Sequence, residues 1–231
     1  MEKINNLRNL FKSNKIDGYI VPKNDEFFGE YVPENKDNLK YISNFSGSFG
    51  FALILKKNNY LFVDGRYTLQ AKIQSGKFFK IITIPKRMPI DLLRNKKLNI
   101  GYDPRLHTEL MLSYFFKKNR YKLVSIKDNL IDKIWKKKKT KRINKFFLLK
   151  DKDTGTNYKK KIRQLSLVLN KNKVDLQFIS AIENVAWTLN LRGTDADYSP
   201  LPNCYLIVDN KGKAIFFCDL RKIDKKLKLK L

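Results

Sequence analysis

Side chains that could carry out chemistry are few in this 231-residue sequence, and they do not cluster. There is one histidine, His107, and there are two cysteines, Cys204 and Cys218. They form none of the His-x-x-x-His, Cys–His or Gly-x-Ser-x-Gly patterns that metal sites and nucleophilic serines show. We therefore expect a structural or surface role for His107 rather than metal ligation.

The two cysteines lie on two apolar segments that could be neighbouring strands of one hairpin. Their thiols would then be close enough to pair. In the reducing cytoplasm, however, two buried reduced thiols are expected rather than a disulfide.

An acidic and a basic residue stand two apart in the run Phe62–Thr68, where Asp64 and Arg66 flank Gly65. Taken alone, they could be a catalytic or anion-binding pair. The same spacing returns at Asp219 and Arg221. Because the pair recurs, we expect a structural ion pair or helix cap that closes each of two modules.

The chain is strongly basic, with 49 Lys and Arg against 22 Asp and Glu, a net charge of +27 and a pI of about 10.0. Such a charge is typical of proteins that bind nucleic acid or anionic surfaces. The lysines are nevertheless spread over almost every segment. Their one dense cluster, residues 136–142, contains no aromatic residues for base stacking. We expect a solvated linker there, with polyanion binding as the alternative.

Membrane and export signals are missing from the pattern of apolar residues. No run of about 18 or more apolar residues occurs. The first residues lead into an amphipathic pattern rather than the apolar core of a signal peptide. We expect a cytoplasmic protein without a membrane span.

The elements that would position these residues alternate between short helices and short strands, which indicates an α/β fold. Helices are predicted near 4–11, 39–42, 67–73, 89–93 and 110–115, and strands near 19–21, 51–55, 60–63, 79–84, 98–102 and 121–126. Asp37 or Asn38 and Thr108 are the predicted helix caps.

The last third of the chain repeats the first in a degenerate form. Residues 173–179 echo 15–21, residues 187–194 echo 41–48, and the predicted hairpin 205–218 echoes 51–63. This order predicts two related domains, 1–135 and 158–231, joined by a basic and polar linker at 136–157. Trp187 and Tyr41 occupy matching positions and are expected in the cores. The second copy is short, so we expect a fragment with uncovered strand edges and an uncovered apolar face.

Five short sequence segments resemble the N-terminal region of the aminopeptidase P family, in its long three-domain form. They are Ile20–Glu26, Gly29–Pro33, Phe45–Gly50, Leu61–Ala71 and Ala186–Asp195. The resemblance implies two creatinase-type, ribonuclease H-like domains with mixed sheets flanked by helices, the second of them truncated. It also implies that the pita-bread catalytic domain is absent from this chain.

Members of this family remove an N-terminal residue ahead of proline with two divalent metals, manganese or zinc, held by the third domain. The resemblance therefore implies no catalytic residue, metal ligand or cofactor in this chain. Its implied partners are the absent catalytic domain, a second copy in a full-length homodimer, and a peptide substrate reached only through the full enzyme. The loop Arg192, Gly193, Thr194 and Asp195 is the candidate to face the catalytic domain and bound its substrate pocket. The alternative function is a basic module for nucleic acid or anionic surfaces, with salt-dependent affinity.

Overall fold

The structure is a computed structural model that describes residues 1–93, 97–116, 121–136 and 143–229. By its internal contacts the chain divides into two compact units. Unit 1 comprises Met1–Glu26 and Glu34–Lys138, and unit 2 comprises Phe27–Pro33 and Lys139–Leu231. The densest part of the lysine cluster, 137–142, lies outside the described residues.

Unit 1 is built on a mixed six-stranded sheet with the order β4-β3-β2-β1-β5-β6. Its strands are β1 (Gly18–Pro22), β2 (Phe51–Leu55), β3 (Asn59–Val63), β4 (Lys80–Thr83), β5 (Asn99–Tyr102) and β6 (Lys122–Ser125). The central three strands pair antiparallel, whereas β4 joins β3, and β5 joins β1 and β6, in parallel. Its helices are α1 (Glu2–Asn9), α2 (Asn38–Ser43), α3 (Thr68–Ser75), α4 (Pro89–Leu93), α5 (Glu109–Phe115) and α6 (Leu130–Ile134).

Helices cover both faces of this sheet, and its two central strands β1 and β2 carry no charged side chain. Strands β1 and β2 are buried at every residue. On one face Tyr19, Ile54 and Leu61 pack with α1, α2, α3 and α6. On the other face Ile20 and Phe62 pack with residues of α4 and α5. Side chains alternate between the two faces along a strand, so neighbours such as Tyr19 and Ile20 pack on opposite sides of the sheet.

Two of the predicted caps start the helices of unit 1. The Asp37 carboxylate accepts a hydrogen bond from the Lys40 backbone N–H at 2.9 Å and starts α2. The Thr108 hydroxyl accepts from the Met111 N–H at 3.1 Å and starts α5. Each cap satisfies a backbone donor that has no partner within the helix.

Unit 2 contains a three-stranded antiparallel sheet with the order β11-β10-β8 and a two-stranded sheet of β7 and β9. Its elements are β7 (Phe147–Leu148), α7 (Asp151–Thr154), α8 (Tyr158–Lys171), β8 (Leu176–Ile179), α9 (Ile182–Leu189), β9 (Leu191–Arg192), β10 (Cys204–Asp209), β11 (Ala214–Cys218) and α10 (Lys225–Lys228). Helices α8 and α9 pack on one face of β10, where Val185, Leu189, Leu206 and Val208 form the core.

The two units share one plan. The series α1-β1-α2-β2-β3 of unit 1 returns as α8-β8-α9-β10-β11 in unit 2, with the same antiparallel pairings. The predicted α/β fold with a mixed sheet flanked by helices is confirmed. The predicted domain limits 1–135 and 158–231 stay a prediction. Within the predicted linker 136–157, the described residues form β7 and α7.

The prediction that Trp187 lies in a core is wrong, because this residue lies on the outer face of α9 and is 61% exposed. Tyr41, its counterpart in α2, is half-buried against the core of unit 1. The Tyr41 ring is covered by Trp135, whose ring stacks on it at 4.6 Å. No aromatic ring of the described residues stacks on Trp187 in the same way.

Candidate functional site

The Asp64–Arg66 pair closes strand β3 and starts a single turn of 3-10 helix, Gly65–Tyr67. The Asp64 carboxylate accepts from the Arg66 backbone N–H at 2.9 Å and from Arg66 Nη2 at 2.7 Å. One side chain thus caps the turn and forms an ion pair at once.

The same arrangement closes β11. Asp219 accepts from the Arg221 N–H at 3.0 Å and from Arg221 Nη2 at 2.7 Å, and starts the 3-10 turn Leu220–Lys222. A third copy, which the sequence analysis missed, closes β5. There Asp103 accepts from the Arg105 N–H at 2.9 Å and from Arg105 Nη2 at 2.8 Å. An Asp-x-Arg directly after a predicted strand was the signal that could have found it.

The arginine in each pair holds its aspartate in the charged form. The hydrogen bonds from the Arg66 side chain lower the pKa of Asp64, and those from Arg221 lower the pKa of Asp219 to about 2. Burial pushes the pKa of Asp103 upward, but hydrogen bonds from Arg105 and Asn129 outweigh it and lower the pKa overall. A carboxylate that is already held by its own arginine is a poor general base. The structural role expected for these motifs stays a prediction, which this geometry supports.

Asp103 differs from the other two aspartates because it is buried and ties two elements together. The Asn129 side-chain Nδ2 donates to the Asp103 carboxylate at 3.0 Å, and the Asn129 side-chain Oδ1 accepts from the Ile131 N–H at 2.8 Å. This chain of hydrogen bonds joins the end of β5 to the start of α6. Its loss would leave a buried amide without an acceptor.

His107 lies in the same turn, with its ring edge against Tyr102. Its Nδ1 is 2.9 Å from the Asp103 carbonyl oxygen, which can only accept, so Nδ1 carries the proton. Nε2 is buried and has no hydrogen-bond partner among the described residues. Burial lowers the pKa of this histidine below its usual value, so the ring is neutral in the folded protein.

This neutral histidine makes unit 1 sensitive to mild acid. Its folded-state pKa is lowered, so near pH 6.5 and below the unfolded state binds a proton before the folded state does. The free energy of unfolding should therefore fall as pH drops from 7.5 to 5.5. Urea titrations at both pH values, on the protein and on His107→Gln, would measure this. An equal fall in both proteins would contradict it.

The four residues of the predicted substrate-facing loop are all held by other residues of unit 2. Arg192 Nη1 donates to the Ala186 carbonyl at 2.9 Å, and Thr194 Oγ1 accepts from Asn144 Nδ2 at 2.7 Å. A side chain on Gly193 would lie 2.9 Å from the Phe146 ring, so the close approach requires glycine.

The fourth residue, Asp195, joins this loop to the motif of Asp219 and Arg221. Its carboxylate accepts from the Asn203 N–H at 2.7 Å and forms a largely buried ion pair with Lys222, in the turn that Asp219 starts. The structure thus brings together two features that the sequence analysis treated separately. The role of the loop in bounding a substrate pocket stays a prediction.

Metal ligands are not assembled in the part of the chain that the structure describes, where no group of three or more His, Cys, Asp or Glu side chains could hold an ion. Each Asp-x-Arg carboxylate is held by its arginine, and the Nδ1 of His107 is taken up by the Asp103 carbonyl oxygen. These residues therefore do not fit the two-metal site that the family resemblance implies for a catalytic domain. Nor does the described chain contain a helix long and apolar enough to cross a membrane.

Cys204 and Cys218 are directly opposite each other on β10 and β11. Both are free thiols; Cys204 is buried, whereas Cys218, which was also expected to be buried, is only half-buried. Burial raises the pKa of Cys204 to about 12 and also raises the pKa of Cys218. The reactive thiolate form is therefore scarce at neutral pH.

Alkylation should reveal this protection. In a Cys218→Ser variant at pH 8, iodoacetamide is expected to label Cys204 at least about a hundredfold more slowly than the same thiol in urea. Mass spectrometry over time measures both rates. Labelling of the folded protein at the unfolded rate would contradict the buried position.

Comparison with known proteins places both units in one family. A model of the Creatinase/Prolidase N-terminal domain matches residues 3–134, and a second model of the same description matches residues 137–231. The Xaa-Pro aminopeptidase 1 of Dictyostelium discoideum is 32% identical over 249 aligned residues, which cover 100% of this chain and 39% of that protein. The aminopeptidase P1 of Lotus japonicus is 31% identical, over 96% of this chain and 35% of its own length.

A solved structure agrees with these matches. The X-prolyl aminopeptidase of Caenorhabditis elegans, described as a cytosolic enzyme with a di-nuclear active site, superposes with a TM-score of 0.91 at 30% identity. The match covers 99% of this chain and 40% of that chain. The chain thus spans well under half the length of the proteins it resembles. It belongs to the creatinase/prolidase N-terminal domain family and corresponds to the N-terminal region of the Xaa-Pro aminopeptidases.

Proposed function

We propose that this chain is the non-catalytic N-terminal part of an Xaa-Pro aminopeptidase, an enzyme that removes the N-terminal residue preceding proline. One observation carries the proposal: the whole chain aligns with the Dictyostelium enzyme but accounts for only 39% of its length. The donor sets of the described residues, which do not fit two metals, support it. The two divalent metals, manganese or zinc, would then belong to the catalytic domain.

In the full-length cytoplasmic protein the two units would support homodimerisation and restrict access of peptides to the active site. The loop Arg192–Asp195 is the proposed contact with the catalytic domain. It suits that role because Arg192, Thr194 and Asp195 are each fixed by a hydrogen bond, and Gly193 by packing against Phe146. A loop held in this way can bound a pocket without moving.

The catalytic domain of a relative tests this proposal. The part of the C. elegans enzyme beyond the region matched here would be produced separately and mixed with this chain, which has nearly the same backbone as the missing part. Light scattering would measure complex formation, and release of the first residue from an Xaa-Pro peptide with Mn²⁺ would measure activity. A Gly193→Phe variant serves as the loop probe.

We expect a complex whose activity exceeds that of the C. elegans part alone by about tenfold or more, since positioning groups contribute on this scale. Gly193→Phe, which displaces the loop, should lose most of the gain. Absence of both complex and gain would contradict the proposal.

A further inference from the structure

Unit 2 contains a lysine and an aromatic ring in an arrangement that unit 1 already shows. Lys161 Nζ donates to the Trp187 carbonyl at 2.7 Å and lies 4.1 Å from the centre of the Trp187 ring. In unit 1, Lys3 Nζ donates to the Tyr41 carbonyl at 2.9 Å and lies 4.6 Å from the Tyr41 ring. Both contacts combine a helix C-cap with a cation–π interaction.

The helices that present the two rings also end alike. An asparagine in the left-handed conformation follows each ring by three residues, Asn44 after α2 and Asn190 after α9. The matching lysine, ring and asparagine align α8 with α1 and α9 with α2, residue by residue. What contacts Tyr41 in unit 1 therefore predicts what Trp187 should contact.

In unit 1 the free side of Tyr41 is closed by α6 and the residue after it. The Trp135 ring stacks on the Tyr41 ring at 4.6 Å and 16°, and the Tyr41 hydroxyl donates to the Ile134 carbonyl at 3.1 Å. Helix α6 packs on α1 through Leu130 and Ile131, which are fully buried. A short helix that ends in an aromatic residue thus completes this corner of unit 1.

The same corner of unit 2 is a cleft of about 560 Å³ between α8, β8 and α9. Trp187, Leu165, Val168 and Phe178 supply its apolar walls, and Lys161 and Asn184 supply polar groups. Over half of the Trp187 side chain is exposed there. Among the described residues of unit 2, no element fills the place that α6 takes in unit 1.

The opposite face of the sheet, which α4 and α5 cover in unit 1, is also more exposed in unit 2. Ile20, Leu53 and Tyr60 lie opposite one another across β1, β2 and β3, and all three are buried. Ile215 precedes Asp219 by four residues, as Tyr60 precedes Asp64. Ile215 lies opposite Ile207, and Ile207 lies opposite Phe178, so these three form the equivalent row in unit 2. Phe178 is 52% exposed and Ile215 is 44% exposed. Strand β8 is also an edge strand, whereas β1 pairs in parallel with β5.

We propose that the cleft between α8, β8 and α9 binds a short helix ending in an aromatic residue, and that this ring stacks on Trp187. The helix would belong to a polypeptide segment that also adds a strand parallel to β8. The relatives contain enough further sequence for such a segment, because this chain covers only 35% to 40% of their length. This inference rests on the proposed function and names the contact by which the rest of the enzyme docks on unit 2.

The test records the fluorine signal of Trp187 alone, because the partner protein carries no fluorine label. Trp135→Phe leaves Trp187 as the single tryptophan of the two in the chain. The chain is labelled with 5-fluorotryptophan and mixed with the unlabelled C. elegans part used above. Fluorine NMR in water and in heavy water reports the exposure of the ring, and light scattering reports the complex. Trp187→Ala is compared with Ile73→Ala, a matched loss of an exposed apolar side chain on α3.

We expect the Trp187 resonance to shift and to lose most of its solvent isotope effect in the complex. Trp187→Ala should weaken the complex at least about tenfold, as loss of a central aromatic does, and Ile73→Ala less than about twofold. A complex in which Trp187 stays exposed and Trp187→Ala binds normally overturns this inference and leaves the proposed function standing. Covering of Trp187 by self-association of the chain also overturns it, and no complex at all contradicts the proposed function itself.

Discussion

Replacing Phe62 by alanine is expected to lower the free energy of unfolding of unit 1 by about 3–5 kcal/mol. Phe62 is fully buried and its ring stacks on Phe51 at 4.8 Å, under α4 and α5. Truncation would leave a cavity that the flanking strands, held by β-pairing on both sides, cannot close. Urea unfolding followed by Trp135 fluorescence in a Trp187→Phe background measures the loss.

The matched control is Phe217→Ala at the equivalent position of unit 2. Phe217 lies opposite Tyr205 just as Phe62 lies opposite Phe51, but it is 45% exposed. We expect a loss below about 1 kcal/mol, because little apolar area leaves the protein interior. Trp187 fluorescence in a Trp135→Phe background reports unit 2. Equal losses at the two positions would show that the face of unit 2 is covered in solution.

Asp103→Ala should cost about 2–4 kcal/mol of the stability of unit 1. The substitution removes the acceptor of Arg105 and also leaves the buried Asn129 amide unpaired. The link between β5 and α6 would weaken, so fluorescence of Trp135, directly after α6, should report it. Urea midpoints at pH 7 measure the loss.

Asp64→Ala is the control that separates the effect of burying the aspartate from the effect of the Asp-x-Arg motif itself. Asp64 makes the same bonds to Arg66, but both side chains are much more exposed than Asp103. Solvent screens an exposed ion pair, so we expect Asp64→Ala to lower the urea midpoint far less than Asp103→Ala does. If Asp64→Ala were as damaging as Asp103→Ala, the special importance of the Asp103 network would be disproved.

The sequence predicted most of the architecture because both units are organised by simple patterns. β1 and β2 are buried on both faces, so they appear as unbroken apolar runs between turn residues. The caps at Asp37 and Thr108 are local signals that need no tertiary information. The repeat was visible because the hairpin and its closing Asp-x-Arg recur in the same order.

Features that depend on contacts distant in sequence were missed. Trp187 was expected in a core because it matches Tyr41 in the repeat, but its exposure depends on what covers α9. Lys161 contacts Trp187 and Asn190 across two helices, which no spacing rule indicates. The segment Phe27–Pro33 follows β1 of unit 1 yet belongs to unit 2, where Phe27 stacks on Tyr205 at 5.2 Å. The placement of this loop is set by packing that no local pattern indicates.

The most direct test of the central claim is the rate at which the purified chain alone hydrolyses an Xaa-Pro peptide in the presence of excess Mn²⁺. No release of the N-terminal residue is expected above the rate measured with Mn²⁺ and buffer alone. Saturable turnover that co-elutes with the chain and disappears on chelation would contradict it, because the described residues bring no metal-binding group together.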